Sequence, residues 1–144
     1  VFYRTKAPNF SGIFFKINAE QMAGHNELGK SGEVAAQYFL RQKGYRILDC
    51  NWRSGHKELD IIALFENMLI VAEVKTRSGS EYEEPWQAVD RKKIRRIVQA
   101  AHHYIKLHRI DLPVRFDILS LLRQGEQWEI EHIEDAFRAP MQIY

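Results

Sequence analysis

The chain has 144 residues, enough for one domain that buries roughly 70% of the surface its unfolded form exposes. Its 45% hydrophobic and 28% charged residues exclude a disordered or fibrous class, and a net charge of +2 is too small to define a partner without its distribution. Cys50 is the only cysteine, which excludes an intramolecular disulfide and a thiolate zinc cage; with no apolar run near the ~20 residues of a membrane span and no signal-peptide pattern, the expectation is a cytoplasmic protein with no membrane partner.

Residues 1–25 read as an N-terminal extension and residues 26–144 as the domain proper. The chain opens on Val1, and Met22-Ala23 would make a natural start, so the opening segment reads as an upstream extension or a cloning remnant. Phe10, Ile13, Phe14, Phe15 and Ile17 could still pack there as a short strand or dock on a neighbour. From about Asn26, a plausible N-cap, a helix is predicted, with Leu28, Ala35, Ala36, Phe39 and Leu40 on one face and Gly44 as a left-handed C-cap. Gly29 and Gly32 in its first turns each cost roughly 1 kcal/mol relative to alanine, which suggests close approach of the backbone to a sheet or a phosphate. Glu33 follows next to the apolar face; it reads either as an ordinary exposed glutamate or as one directed at the sheet.

A strand is predicted over Tyr45–Asp49, then a basic and aromatic connection through Asn51-Trp52-Arg53 and Ser54-Gly55-His56-Lys57. The segment from Glu58 to Arg77 reads as a hairpin, because apolar and β-branched residues flank the short polar turn Glu66-Asn67. With those two as loop residues, Phe65 pairs with Met68 and paired numbers sum to 133. Asp60 then lies across from Glu73 and Glu58 across from Lys75, all four on one face. Two carboxylates about 5 Å apart repel by roughly 3 kcal/mol at an effective dielectric near 20. A good cross-strand pair contributes only about 0.2–1 kcal/mol. Lys75 leaves the four at minus two, a charge that magnesium or manganese would cancel through hard oxygen ligands. The plainer reading is a solvated strand face laced with salt bridges.

Ser78–Pro85 is a polar loop carrying Glu81, Glu83 and Glu84. A second helix is predicted from Trp86 to His108, with an apolar stripe of Ile94, Ile97, Val98, Ala101, Tyr104 and Ile105. From Arg91 to Arg109 there are seven Lys or Arg and no Asp or Glu, an imbalance that points to phosphate contacts. His102 and His103 have no Cys or Asp at ligand spacing, which argues against zinc. A strand from Pro113 through Leu122 follows, with Arg115 and Asp117 placed for a structural salt bridge. Gln127–Ile133 is expected to return as an edge strand, and Glu134–Ala139 to form a short helix stopped by Pro140.

A helix bearing Glu33, a hairpin bearing Asp60 and Glu73-Val74-Lys75, then a helix, resembles the core of the PD-(D/E)XK nuclease superfamily. More closely the chain resembles the bacterial YraN-like proteins, related to archaeal Holliday-junction resolvases. The likeness is carried by Gly29-Lys30-Ser31-Gly32-Glu33, Asn51-Trp52-Arg53, Gly55 with Glu58-Leu59-Asp60-Ile61-Ile62, Glu73-Val74-Lys75-Thr76-Arg77 and Arg115-Phe116-Asp117. Each motif is weak alone; together and in order, from about Asn26 to Ile133, they are specific.

The resemblance implies an α/β, restriction-endonuclease-like fold with a central mixed β-sheet flanked by helices. It implies a metal-dependent endonuclease acting on structured or branched DNA; the alternative is a non-cleaving nucleic-acid-binding protein with the same fold. Asp60 and Glu73 would ligate Mg2+ or Mn2+, the Val74 carbonyl would be a third ligand, and Glu33 would bind directly or through water. Lys75 would orient or activate the attacking water. Lys92, Lys93 and Arg96, with Lys30, Arg53 and Arg77, are the candidate DNA contacts. Junction resolvases pair two sites, so a homodimer is expected.

Overall fold

The structure, a computed structural model, describes residues 15–18, 32–78 and 90–139. Eight elements follow in chain order: β1 (Phe15–Asn18), α1 (Gly32–Gln42), β2 (Arg46–Ser54), β3 (Lys57–Phe65), β4 (Met68–Ser78), α2 (Arg91–His108), β5 (Val114–Gln124) and β6 (Gln127–Phe137). The strands form one mixed sheet in the order β1-β6-β5-β4-β3-β2. Only β4 and β5 run parallel. Parallel neighbours cannot be joined by a tight turn and need a long crossover; the connection between these two contains α2.

The two helices cover opposite faces. Ala35, Ala36, Phe39 and Leu40 of α1 pack on Ile61, Ala63, Ile70, Ala72, Leu119 and Leu121. Ile94, Ile97, Ala100, Ala101 and Tyr104 of α2 pack on Ile62, Leu69, Val71, Phe116 and Ile118. Central strands β4 and β5 therefore bury side chains on both faces, which is why their sequences are nearly continuous apolar runs. No helix among the described residues is long and apolar enough to cross a membrane.

The β3–β4 hairpin forms as expected. Glu66 and Asn67 both have positive φ, 47° and 60°, the backbone a two-residue turn of matching twist requires. Phe65 pairs with Met68, and the ladder keeps that sum through Ile61↔Ala72. Gly44 has φ 88° just after α1, where a left-handed cap ends the helix.

Other expectations are corrected. Asn51-Trp52-Arg53 is not a connection but part of β2, and Trp52 pairs with Leu59. Trp52 lies edge-on to Tyr104 of α2, so its burial favours strand over loop. The Gln127–Ile133 strand is not at the edge, because β1 covers it through Phe15↔Ile130 and Ile17↔Trp128. The segment assigned to an extension thus contributes a strand to the sheet. Glu134–Phe137 is not helical: β6 runs to Phe137, whose ring is buried and stacks on Phe116. The second helix does not run unbroken from Trp86, since Asp90 is an extended N-cap whose Oδ1 accepts from the Lys93 N–H at 2.8 Å. Residues 26–31, with the proposed Asn26 cap, Gly29 and Lys30, and the Glu81–Glu84 loop lie outside the described residues.

The Arg115–Asp117 salt bridge forms and is larger than expected. Fully buried Asp117 accepts from Arg115 Nε and Nη2, each at 2.8 Å, and from the Asp135 N–H at 3.0 Å. His132 Nε2 lies 2.7 Å from its Oδ2, and Arg115 also donates to the Tyr45 hydroxyl. Burial works to raise the Asp117 pKa, but His132 and Arg115 outweigh it and hold the carboxyl below its ordinary value. This network ties β5 and β6 to the turn between α1 and β2.

Gly32 shows why the first helix begins with glycine. A Cβ there would collide with the Thr76 side chain of β4. Gly32→Ala should therefore lower stability by about 1–3 kcal/mol, measured by urea unfolding, and adding Thr76→Ala should recover part of the loss.

Candidate functional site

Beyond Ile61↔Ala72 the strands β3 and β4 stop pairing. The free Val74 N–H is taken by Asp60 Oδ2 at 2.8 Å. Side-chain alternation also slips here: Leu59 and Ile62 pack toward α2, while Ile61 packs toward α1. Asp60 sits at this slip, beside Glu73. Glu58, which was expected across from Lys75, instead pairs with Arg53 of β2, with Arg53 Nε 3.7 Å from Glu58 Oε1.

A cavity of about 350 Å³ opens over the pair. Its carboxylates are Glu58, Asp60, Glu73 and Asp90; its cations are Lys57, Lys92, Lys93 and Arg96, with His56 at the wall. The acids come from β3, β4 and the cap of α2, while three of the four cations come from the first turns of α2. The N-terminal end of α2 carries partial positive charge of its own, which also favours anions at this spot.

Burial, then the charge of Glu73 beside it, push the Asp60 carboxyl up to about 7, against the pull of the Val74 N–H. Glu73 is buried, with only 7% of its side chain exposed, and Lys93 Nζ ion-pairs with its Oε1. Burial works against the Lys93 ammonium, but its hydrogen bond to Glu73 and the charges of Glu73, Asp60 and Asp90 hold its pKa above the ordinary lysine value. One lysine, Lys93, thus serves both acids: it ion-pairs with Glu73 and feels the charge of Asp60.

The structure brings together Asp60, Glu73, Lys92, Lys93 and Arg96. Val74 contributes its N–H to Asp60, while its side chain packs toward α1. Lys75 is half-buried two residues after Glu73 and does not line the cavity. Arg77 donates to Ser120 Oγ at 3.2 Å. Arg53 is mostly exposed beside Glu58. Glu33 lies on the α1 side, where its Oε2 accepts from Asn51 Nδ2 at 3.1 Å, and it does not line the cavity either. Sequence reasoning placed Lys93 against phosphate and missed its contact with Glu73. The N-cap rule, applied to Asp90, would have put Lys93 in the first helical turn.

Among the described residues no group of three or more His, Cys, Asp or Glu is arranged to hold a metal ion. Magnesium, however, commonly uses one or two carboxylates and completes its shell with water and substrate phosphate. Asp60 and Glu73 meet that requirement: they are adjacent oxygen donors and open to a cavity large enough for water.

Residues 32–121 match the Uncharacterised protein family UPF0102, which is the YraN-like family. A UPF0102 protein of Bacteroides thetaiotaomicron is 52% identical over 120 residues, covering 83% of this chain and 99% of the relative. One from Parabacteroides distasonis is 53% identical over 119 residues, covering 83% and 98%. Protein FP2501 of Flavobacterium psychrophilum is 45% identical over 116 residues, covering 81% and 98%. The chain belongs to the UPF0102 family. The matched span contains α1, Asp60, Glu73 and all of α2.

The raised pKa of Asp60 has a stability consequence of definite sign. Its folded value, about 7, exceeds the unfolded value of about 3.9. Its contribution is therefore fully present below about pH 4 and is lost as pH rises toward 7. Asp60→Asn, which mimics the protonated form, should stabilise the metal-free protein by about 1–3 kcal/mol at pH 8. The gain should shrink toward pH 4; thermal unfolding across that range measures it.

Proposed function

We propose that the protein is a divalent-cation-dependent endonuclease that hydrolyses phosphodiester bonds in DNA. The observation that carries this reading is the close Asp60–Glu73 pair at the point where β3 and β4 part, facing Lys92, Lys93 and Arg96 across one cavity. A binding module has no use for two adjacent carboxylates beside a polyanion. A hydrolase has, because a cation held there polarises a phosphoryl oxygen and lowers the pKa of its water.

In this reading Asp60 and Glu73 hold Mg2+ or Mn2+, with the Val74 carbonyl as a further oxygen. The Val74 N–H fixes one oxygen of the Asp60 carboxylate. Lys75, on the strand that presents Glu73, orients the attacking water or balances charge on the scissile phosphate. Glu33, on the α1 side, contributes through water rather than directly. Lys92 and Arg96, both exposed on α2, contact flanking phosphates. The exposed face of α2 continues through Arg95, His102, His103 and Lys106 with no acidic residue, which suits a track along a nucleic-acid backbone. The likeness to junction resolvases points to branched or structured DNA, a restriction-endonuclease-like fold, and cytoplasmic work by a homodimer.

A second reading is a non-cleaving nucleic-acid-binding protein. The Lys93–Glu73 ion pair favours it, since it partly neutralises the site without a metal.

A cleavage panel of four-way junctions, flaps, nicked and linear DNA with magnesium or manganese separates the two. Cleavage of at least one form is expected, reduced roughly a hundredfold or more in Asp60→Asn and Glu73→Gln while DNA binding is retained. Cleavage that persists in Asp60→Asn would remove the site, and no cleavage of any form would leave the binding reading. For binding, Lys92→Ala and Arg96→Ala should each reduce the slope of log K against log salt by about 0.9.

A further inference from the structure

Lys93 is placed against the preference of its own helix. The first turn of α2 holds Arg91, Lys92 and Lys93 and no acid, although the positive end of a helix dipole disfavours cations there. Its backbone N–H is bound by the cap residue Asp90, which fixes where the lysine leaves the helix. From that point its ammonium reaches Glu73, one of the few buried charged side chains of the described core. Lys92 and Arg96 line the same cavity without pairing to Glu73. Lys93 therefore stands where the proposed cation would need an oxygen.

We propose that Lys93 is a tethered counter-ion of the Asp60–Glu73 pair, which a divalent cation must displace from Glu73 in order to bind. The inference rests on the metal-site reading above. Without a metal, Lys93 keeps a buried carboxylate from standing uncompensated, a condition that is strongly destabilising. With a metal, the cation takes over that charge and the lysine is released toward the open cavity. The two cations compete for one carboxylate, so the ion pair lowers metal affinity by the free energy needed to break it.

The test is manganese binding to the full chain without DNA, by titration calorimetry at pH 8, in wild type, Lys93→Met, Lys93→Arg, Lys92→Met and Arg96→Met. A charge-assisted pair sets the scale, so Lys93→Met should bind manganese about tenfold or more tighter than wild type. Lys92→Met and Arg96→Met remove the same charge without touching Glu73 and should shift affinity less than about threefold. Lys93→Arg, which can restore the pair, should stay near wild type. Thermal unfolding provides a second readout: Lys93→Met should melt below wild type in chelator, and saturating manganese should raise its Tm more than that of wild type. Equal affinities and equal Tm gains in wild type and Lys93→Met, or equal tightening in all three Met variants, would overturn the counter-ion role while leaving the metal site standing. Manganese binding to none of the proteins would overturn the metal site and this inference with it.

Discussion

The hydrogen bond from the Val74 N–H to the Asp60 carboxylate ends one structure and begins another. Up to Ile61 and Ala72 the hairpin satisfies its backbone groups by ordinary ladder pairing. One residue further the strands part, and a β4 donor near the buried core needs a partner. Asp60 supplies it with a side-chain oxygen. That substitution fixes the carboxylate, brings it against Glu73 and opens the space into which α2 sends its basic residues. A main-chain partner in the same place would have closed the sheet and left no site.

The arrangement sets local stability against charge. Two acids repel here, and burial together with the charge of Glu73 raises the Asp60 pKa. Elsewhere the protein shows how it treats a buried acid meant only for structure. Asp117 is more deeply buried, yet Arg115, His132 and a backbone N–H surround it and its pKa falls. Asp117 on the α1 face has its pKa lowered and Asp60 on the α2 face has its raised, a contrast that marks the second as the candidate site. The crossover places α2 on the second face, so its basic first turns lie over Asp60 and Glu73.

What could be read in the sequence follows from how local each signal is. Glu66-Asn67 and the alternation on either side of it contain the whole geometry of the hairpin, so its register to Ile61↔Ala72 was legible. The departure at Asp60 was not, because it depends on which oxygen reaches the Val74 N–H once the strands part. Asp60 and Glu73 still meet at one cavity, but neither the expected Asp60–Glu73 cross-strand pair nor the Glu58–Lys75 pair beyond it is part of the ladder. Trp52 read as part of a connection because its reason for being in a strand, the ring of Tyr104, is far along the chain. Likewise Glu134–Phe137 carries helix-compatible residues, and only Phe116 beneath Phe137 makes a strand of it. Lys93 belonged to an obvious basic run, but its separate task shows only in the contact with Glu73.

The proposed divalent cation between Asp60 and Glu73 is the point on which the proposed chemistry and the proposed role of Lys93 converge. Anomalous diffraction from crystals of the protein in manganese at pH 8 locates such an ion directly. The expected result is a single strong peak bridging the two carboxylates, with Lys93 drawn away from Glu73. An empty pair at saturating manganese, with Lys93 still bound to Glu73, would contradict it.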